Sequence, residues 1–144
     1  MSLAQDLLWL CEIPSLIGEE KALCDAVEAR VSRLQLAGKV RRYGDSIVVP
    51  VRRGSGGPHV VLGGHFDVVR TEHEGVPRIE GDKLYAPGAA DMKSGLALML
   101  ALAERPDPSA WPVDLTLVFY AREEGPYAEN ELGPVLAADS ELTA

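Results

Sequence analysis

The chain is 144 residues long, 47% hydrophobic and balanced in mean hydropathy (+0.01), which allows one packed domain and excludes an unfolded chain. Its formal charge of −8, with no basic run longer than Arg52-Arg53, argues against nucleic-acid and anionic-membrane partners and leaves room for carboxylates gathered around cations. Cys11 and Cys24 match neither a zinc spacing nor a disulfide framework, and read as small buried hydrophobes in a reducing compartment.

The N-terminal stretch carries Asp6 and no basic leader, so it does not read as a signal peptide. SLAQ (2–5) has the capping-box pattern, with Leu3, Leu7, Leu10 and Cys11 following at helical spacing until Pro14 stops the helix. A second helix is predicted from Glu19 to Leu36, with Leu23, Ala26, Val27, Val31 and Leu34 on one face and Gly38 as its stop. KVRRY (39–43), SIVVPV (46–51) and HVVLGG (59–64) read as extended segments separated by Gly44-Asp45 and by RRGSGG (52–57). Residues 70–90 are polar and turn-rich, with a hairpin predicted around Glu80-Gly81-Asp82.

From Met92 to Glu104 the chain is apolar all round, as a mostly buried helix would be, and Pro106 and Pro108 end it. Its LALMLALA run (96–103) falls far short of the ~20 residues of a membrane span, so a soluble, cytoplasmic protein is expected. VDLTLVFYA (113–121) reads as the central strand of a covered sheet, and ENELGPVLAA (129–138) opens a last helix. This order predicts an α/β fold, a three-layer sandwich whose mixed, partly parallel sheet is covered by helices. Ligands in such folds collect beyond the carboxyl ends of the strands.

Three islands of metal-type residues punctuate this order: GHFD (64–67), GAADMKSG (88–95) and AREEG (121–125). In a strand, residues two apart share a face, so a strand continuing through Phe66 presents the His65 imidazole and the Asp67 carboxylate side by side. A half-buried histidine with a satisfying partner is the plainer alternative. Asp91 stands at a glycine-flanked junction that opens the buried helix, where capping of orphan N–H groups also accounts for an acid. Glu123 and Glu124 follow an apolar strand and put like charges together, which is costly on burial unless a cation compensates; a solvated loop is the alternative.

Imidazole with carboxylates suits Zn2+ or a related divalent ion. One aspartate can bridge two ions about 3.5–4 Å apart, the arrangement of two-metal hydrolytic sites. Asp67 fits a carboxylate that orients a ligating imidazole, and of two adjacent glutamates one can ligate while the other takes a proton from water. Lys93 and Arg122 have no part in this chemistry and read as structural or surface groups.

With these motifs the chain resembles the zinc-dependent amidohydrolases that include succinyl-diaminopimelate desuccinylase, acetylornithine deacetylase, aminoacylase and related carboxypeptidases. The resemblance spans essentially the whole chain and rests on GGHFDVV, GDKLYAPGAADMKSG and FYAREEG in that order. Each motif alone is weak; the ordered triple is specific. It implies a zinc-peptidase-like catalytic domain holding two divalent ions, zinc first and cobalt as the alternative. It further implies His65 as ligand of one ion, Asp91 as the bridging ligand and Glu124 as ligand of the other. Glu123 would be the general base, Asp67 would orient His65, and the Asp91–Met92 peptide would be cis. DMKSG and EEGPYAENELGPVL are most similar to the desuccinylases, which implies cleavage of N-succinyl-diaminopimelate in lysine and diaminopimelate biosynthesis. Arg70, where a proline commonly follows the strand, and EEGPYAEN depart from the pattern. These departures bear on substrate, not on the site.

The family's site also uses a further acidic ligand and a second histidine, and His59 and His73 stand in the wrong places for the latter. The resemblance therefore implies that residues 1–144 are the N-terminal part of the catalytic domain, inactive alone. The lid and dimerisation domain, and the homodimer it forms, would lie beyond Ala144. A small N-acyl amino acid is the expected substrate. A metal-binding module without turnover, and a non-catalytic α/β domain whose acids are caps and surface charge, are the competing readings. Metal content separates the last of these from the other two, and hydrolysis by the complete protein separates the enzyme from the module.

Overall fold

In the computed structural model, which describes residues 1–72, 75–105 and 107–144, the strands β1 (Arg41–Tyr43), β2 (Ser46–Arg52), β3 (His59–His65) and β6 (Asp114–Tyr120) form one sheet. Their order is β1-β2-β6-β3, while β4 (Arg78–Glu80) and β5 (Lys83–Tyr85) pair apart as a hairpin. β2 runs antiparallel to β1 and β6, and β3 runs parallel to β6. One face packs Ile47, Val49, Leu117 and Phe119 against Leu10 of α1 (Leu3–Glu12), Val27 of α2 (Lys21–Val31) and Leu100 of α3 (Ser94–Ala103). On the other face, Val48 and Val118 meet Val135 of α4 (Leu132–Ala138) and Leu142. Burial from both sides is why β6 is apolar along its length instead of alternating. The mixed, helix-covered α/β sheet is the architecture that the element order predicts.

Several boundaries differ. The capping box at Ser2 forms as read: Gln5 N–H donates to Ser2 Oγ at 3.2 Å, and Ser2 N–H to Gln5 Oε1 at 2.9 Å. α2 runs from Lys21 to Val31 and not from Glu19 to Leu36. Beyond it the chain turns back to the sheet, where Ala37 N–H donates to the Pro50 carbonyl at 2.9 Å; tertiary pairing overrides helical spacing there. β1 is confined to Arg41–Tyr43 for the same reason of pairing, since only these residues face β2. The apolar helix starts at Ser94, after a π turn over Ala89–Lys93, and leaves Leu98 exposed. Pro108 begins a short 3-10 turn instead of ending α3, and Pro106 lies outside the described residues. The hairpin turns at Gly81-Asp82, with Gly81 in the left-handed region at φ 63°. Cys11 and Cys24 are buried free thiols, and burial pushes Cys24 up to about 12, which leaves it unreactive. Among the described residues, no helix is long and apolar enough to cross a membrane.

Gly64 decides how closely α3 approaches the sheet. A Cβ there would stand 2.7 Å from Leu96 Cδ2 and 3.0 Å from both Met92 Cε and Met99 Sδ. Its absence lets the residues that open α3 reach the end of β3, next to His65.

Candidate metal centre

Because β3 and β6 are parallel neighbours, their carboxyl ends lie side by side, with His65 in register with Tyr120. One more ladder bond, Phe66 N–H to the Tyr120 carbonyl at 2.8 Å, holds the two chains together where the strands stop. The strand therefore ends at His65 and does not run on through Phe66. Asp67 follows on one side and Arg122, Glu123 and Glu124 on the other. Arg122 takes the left-handed conformation (φ 62°), which turns the chain sharply after β6. The π turn brings Asp91 over the same end of the sheet, and the Asp91–Met92 peptide is cis.

His65 is 4% exposed, and its Nδ1 donates to the main-chain carbonyl of Asp67 at 2.9 Å. A carbonyl only accepts, so Nδ1 carries the proton and Nε2 points outward. Nε2 lies 3.2 Å from Asp91 Oδ1 and 3.7 Å from Glu123 Oε2. One ligand atom each from His65, Asp91 and Glu124 falls within 4.8 Å of the others. The Asp67 carboxylate does not hydrogen-bond the ring at the expected 2.7–3.2 Å. It stands 3.5 Å from Nδ1 and spends both oxygens on main-chain amides, accepting from Glu123 N–H at 3.0 Å and Glu124 N–H at 2.8 Å. Asp67 thus ties the glutamate turn to the histidine strand.

The alternatives left by the sequence fare differently. Capping does not explain Asp91, because α3 has no side-chain cap and the Asp91 carboxylate is 76% exposed. The glutamates are less buried than like charges after an apolar strand suggest: Glu123 is 40% exposed and Glu124 intermediate. Lys93, which sequence reasoning left without a role, is buried and donates Nζ to the Leu10 and Ile13 carbonyls, both at 2.9 Å, securing the π turn to the end of α1. Burial pushes it down to about 8. Only its place inside an apolar helix start hinted at this. His59 sits at the far end of β3, where Nε2 accepts from Arg53 Nη1 at 2.8 Å and lies 2.9 Å from Thr116 Oγ1. His73 lies outside the described residues.

Charge in the cluster is one-sided. Among the described residues, Asp91, Glu123 and Glu124 make no ion pair with a lysine or arginine, and Arg122 pairs away with Glu129 at 3.2 Å. Its own burial and the charge of Asp91 push the Glu124 carboxyl up. Burial would depress the imidazole, yet Asp67 (through both carboxylate and carbonyl) and Glu123 push it up to about 9. Among the described residues, the protonated ring is the only positive group that pairs with these acids. A divalent cation in its proton's place fits the donor set: one imidazole nitrogen with an unshared pair and exposed carboxylates too close together without it. Beside the cluster opens a cleft of about 420 Å3 lined by Val68, Val69, Thr71, Gly88, Asp91 and Glu124. A larger hollow of about 620 Å3 between α1 and the β4–β5 hairpin touches none of these acids and has no bearing on the chemistry.

This fold and geometry have known counterparts. The chain is 35% identical over 142 residues to the succinyl-diaminopimelate desuccinylase of Corynebacterium glutamicum, covering 92% of this chain and 38% of that protein. It is 35% identical over 133 residues to the enzyme of that name from Sphingopyxis alaskensis, covering 81% of this chain and 33% of the relative. It thus spans between a third and two fifths of these relatives. A tripeptidase of Staphylococcus aureus shares the fold with a TM-score of 0.71 at 23% identity, over 85% of this chain and 36% of that one. An M20 family metallo-carboxypeptidase of Sulfolobus solfataricus does so with a TM-score of 0.68 at 19% identity, over 83% of this chain and 30% of its own. Residues 61–140, which hold most of β3, the π turn, α3, β6 and both glutamates, match the model of peptidase family M20/M25/M40, and the chain belongs to that family of metal-dependent hydrolases.

Proposed function

We propose that this chain contributes to a dinuclear metal-dependent hydrolysis of an N-acyl amide, first of all the desuccinylation of N-succinyl-diaminopimelate. Acetylornithine deacetylase, aminoacylase or carboxypeptidase activity is the alternative within the family. The observation that carries the reading is the meeting of His65, Asp91 and Glu124 ligand atoms within 4.8 Å, at parallel strand ends and without a balancing lysine or arginine among the described residues. The names of the relatives support the substrate.

In this reading His65 Nε2 would hold one ion, Glu124 the other, and Asp91, with two oxygens, both. When bound, two divalent ions (zinc first, cobalt as the alternative) would polarise the amide carbonyl and acidify water. Asp67 keeps Nε2 free by occupying Nδ1 with its carbonyl, and fixes Glu123 and Glu124 through their amides. Glu123, half-exposed and 3.7 Å from His65 Nε2, would take a proton from the attacking water and return it to the leaving amine. Among the described residues, His65 and Asp91 would hold one ion and Asp91 and Glu124 the other, fewer than the roughly three protein ligands of catalytic zinc sites, so these residues alone should bind weakly and not turn over.

A panel of N-succinyl, N-acetyl and dipeptide substrates assayed on the complete, zinc-loaded protein tests the function. Preference for N-succinyl-diaminopimelate is expected. Preference for another N-acyl substrate would move the enzyme within the family, and metal binding without any turnover would make the chain part of a binding module.

A further inference from the structure

The residues between Pro14 and α2 lie in neither observed helix, although the sequence assigns Glu19 and Glu20 to the second, and they touch both sides of the site. Ser15 is fully buried, and its hydroxyl donates to the Phe66 carbonyl at 2.7 Å. Val68 N–H donates to the Ser15 carbonyl at 2.9 Å, and Ile17 N–H to the Val68 carbonyl at 3.1 Å, so Leu16 and Val68 pair as a parallel bridge around the His65–Asp67 turn. Glu20, also fully buried, bends its carboxyl away from its own helix: α2 has no side-chain cap. Oε1 accepts from Gly18 N–H at 2.9 Å and from Arg122 N–H at 3.2 Å. A Cβ on Gly125 would stand 2.5 Å from Ile17 Cδ1, so the segment also packs on the far end of the glutamate turn.

Burying a carboxyl is unfavourable, and Oε2 has no hydrogen-bond partner among the described residues. Burial pushes the Glu20 carboxyl up despite the amides that it accepts from. What Glu20 secures in return is Arg122, whose left-handed backbone is disfavoured for a residue with a Cβ. The next two amides after Arg122 are those that Asp67 holds.

We propose that Ser15–Glu20 is a strap that sets the geometry of the site, with Ser15 positioning the His65–Asp67 turn and Glu20 positioning the Arg122–Glu124 turn. Without Glu20, Arg122 relaxes out of the left-handed region, the Glu123 and Glu124 amides leave Asp67, and Glu124 loses its place beside Asp91. The proposal rests on the metal reading only for its second readout.

The test is made on the full chain with Glu20→Ala, Glu20→Gln and Ser15→Ala. In the metal-free protein, Glu20→Ala should speed amide hydrogen exchange at Glu123 and Glu124 at least about tenfold while Val48 and Val118 in the sheet keep their rates. Glu20→Gln, which retains the acceptor oxygen and the shape, should restore wild-type exchange. In a Zn2+ titration, Glu20→Ala should weaken binding by the ~10–100-fold seen when groups that orient ligands are lost, and Gln should not. Ser15→Ala should loosen residues 66–68 selectively and carries the test if Glu20→Ala does not fold. Unchanged exchange at Glu123 and Glu124, acceleration spread equally over the sheet, or failure of Gln to rescue would each overturn the strap. Wild-type protein that binds no Zn2+ while the exchange results hold would overturn the metal reading and leave the strap standing.

Discussion

Two groups of charged residues lie on opposite parts of the sheet, each built around a buried aspartate. On the α4 side, Asp139 receives Arg41 Nε at 2.6 Å, Arg41 Nη2 at 3.0 Å and the Tyr43 hydroxyl at 3.0 Å, and a second acid, Glu141, also rests on Arg41 at 3.2 Å. At the carboxyl ends of β3 and β6, Asp67 receives two backbone amides, and three further carboxylates crowd a single imidazole. Arg53 Nη2 also reaches Glu141 at 3.4 Å, so the first cluster sets two arginines against two acids. The second becomes balanced only when protons or cations are added. Buried acids by themselves therefore mark nothing; what separates a structural cluster from a chemical one is whether the protein supplies its own countercharge.

The sharpest way to break this comparison is chemical. In the complete protein, Glu123→Gln should lower kcat by about 10²–10⁴-fold, the range for a lost general base, while metal content stays at the wild-type level. His65→Ala should instead lose metal. Metal analysis beside kcat decides between them, and metal loss in the Glu123 variant would exchange the roles assigned to the pair.

Next in size is the first cluster. Asp139→Asn should destabilise the fold by up to the ~3–5 kcal/mol of a broken buried ion pair, the lower part of that range being favoured because Arg41 keeps Glu141. Urea denaturation with and without Zn2+ measures this. The stabilisation by Zn2+ should be the same in Asp139→Asn as in wild type and absent in His65→Ala.

The two clusters should also fail at opposite ends of the pH scale. His65 is raised from 6.5 to about 9, so the folded chain favours its protonated form; that contribution is complete below about pH 6.5 and is lost as pH rises through 9. Burial would raise Asp139, but Arg41 and Tyr43 hold it below its ordinary 3.8, so its contribution is complete above that value and is lost as pH falls below it. In the metal-free chain, His65→Ala should flatten the alkaline decline by on the order of 1–3 kcal/mol, and Asp139→Asn should flatten part of the acidic one. Lys93, pushed down to about 8, acts with the opposite sign above that pH and is common to both proteins, so the difference between variant and wild type is diagnostic. An unchanged alkaline limb in His65→Ala would show that the imidazole is not carrying the acids' countercharge.

The smallest effect sets the scale. Ser2→Ala removes the α1 capping box, whose side-chain bonds join only Ser2 and Gln5, and should cost about 1 kcal/mol in urea denaturation without altering the Zn2+ response or either pH limb.

Much of this was legible from residues alone because it depends on local rules. The capping box at Ser2, the apolar run of β6 and the turn at Gly81-Asp82 follow from periodicity and turn chemistry. His65, Asp91 and Glu124 were recognisable because each stands where a regular element starts or stops, and the ordered motifs tied them together. The sequence also placed Asp67 beside His65. Which groups its carboxylate would serve was decided elsewhere: the amides of Glu123 and Glu124 reach it only because Arg122 turns left-handed and β6 lies next to β3.

The same division explains the misses. α2 ends at Val31 because Ala37 finds Pro50 across the fold, Lys93 is buried because α1 leaves carbonyls open above it, and Ser15 and Glu20 acquire partners 51 and 102 positions away. Spacing along a chain reports which face a side chain takes within its own element. It carries no information on which distant backbone group will need a partner once the elements pack. So the sequence by itself determined most of the elements, the family and the candidate metal ligands, and the tertiary structure alone decided which of them are held, by what, and with how much charge left unbalanced.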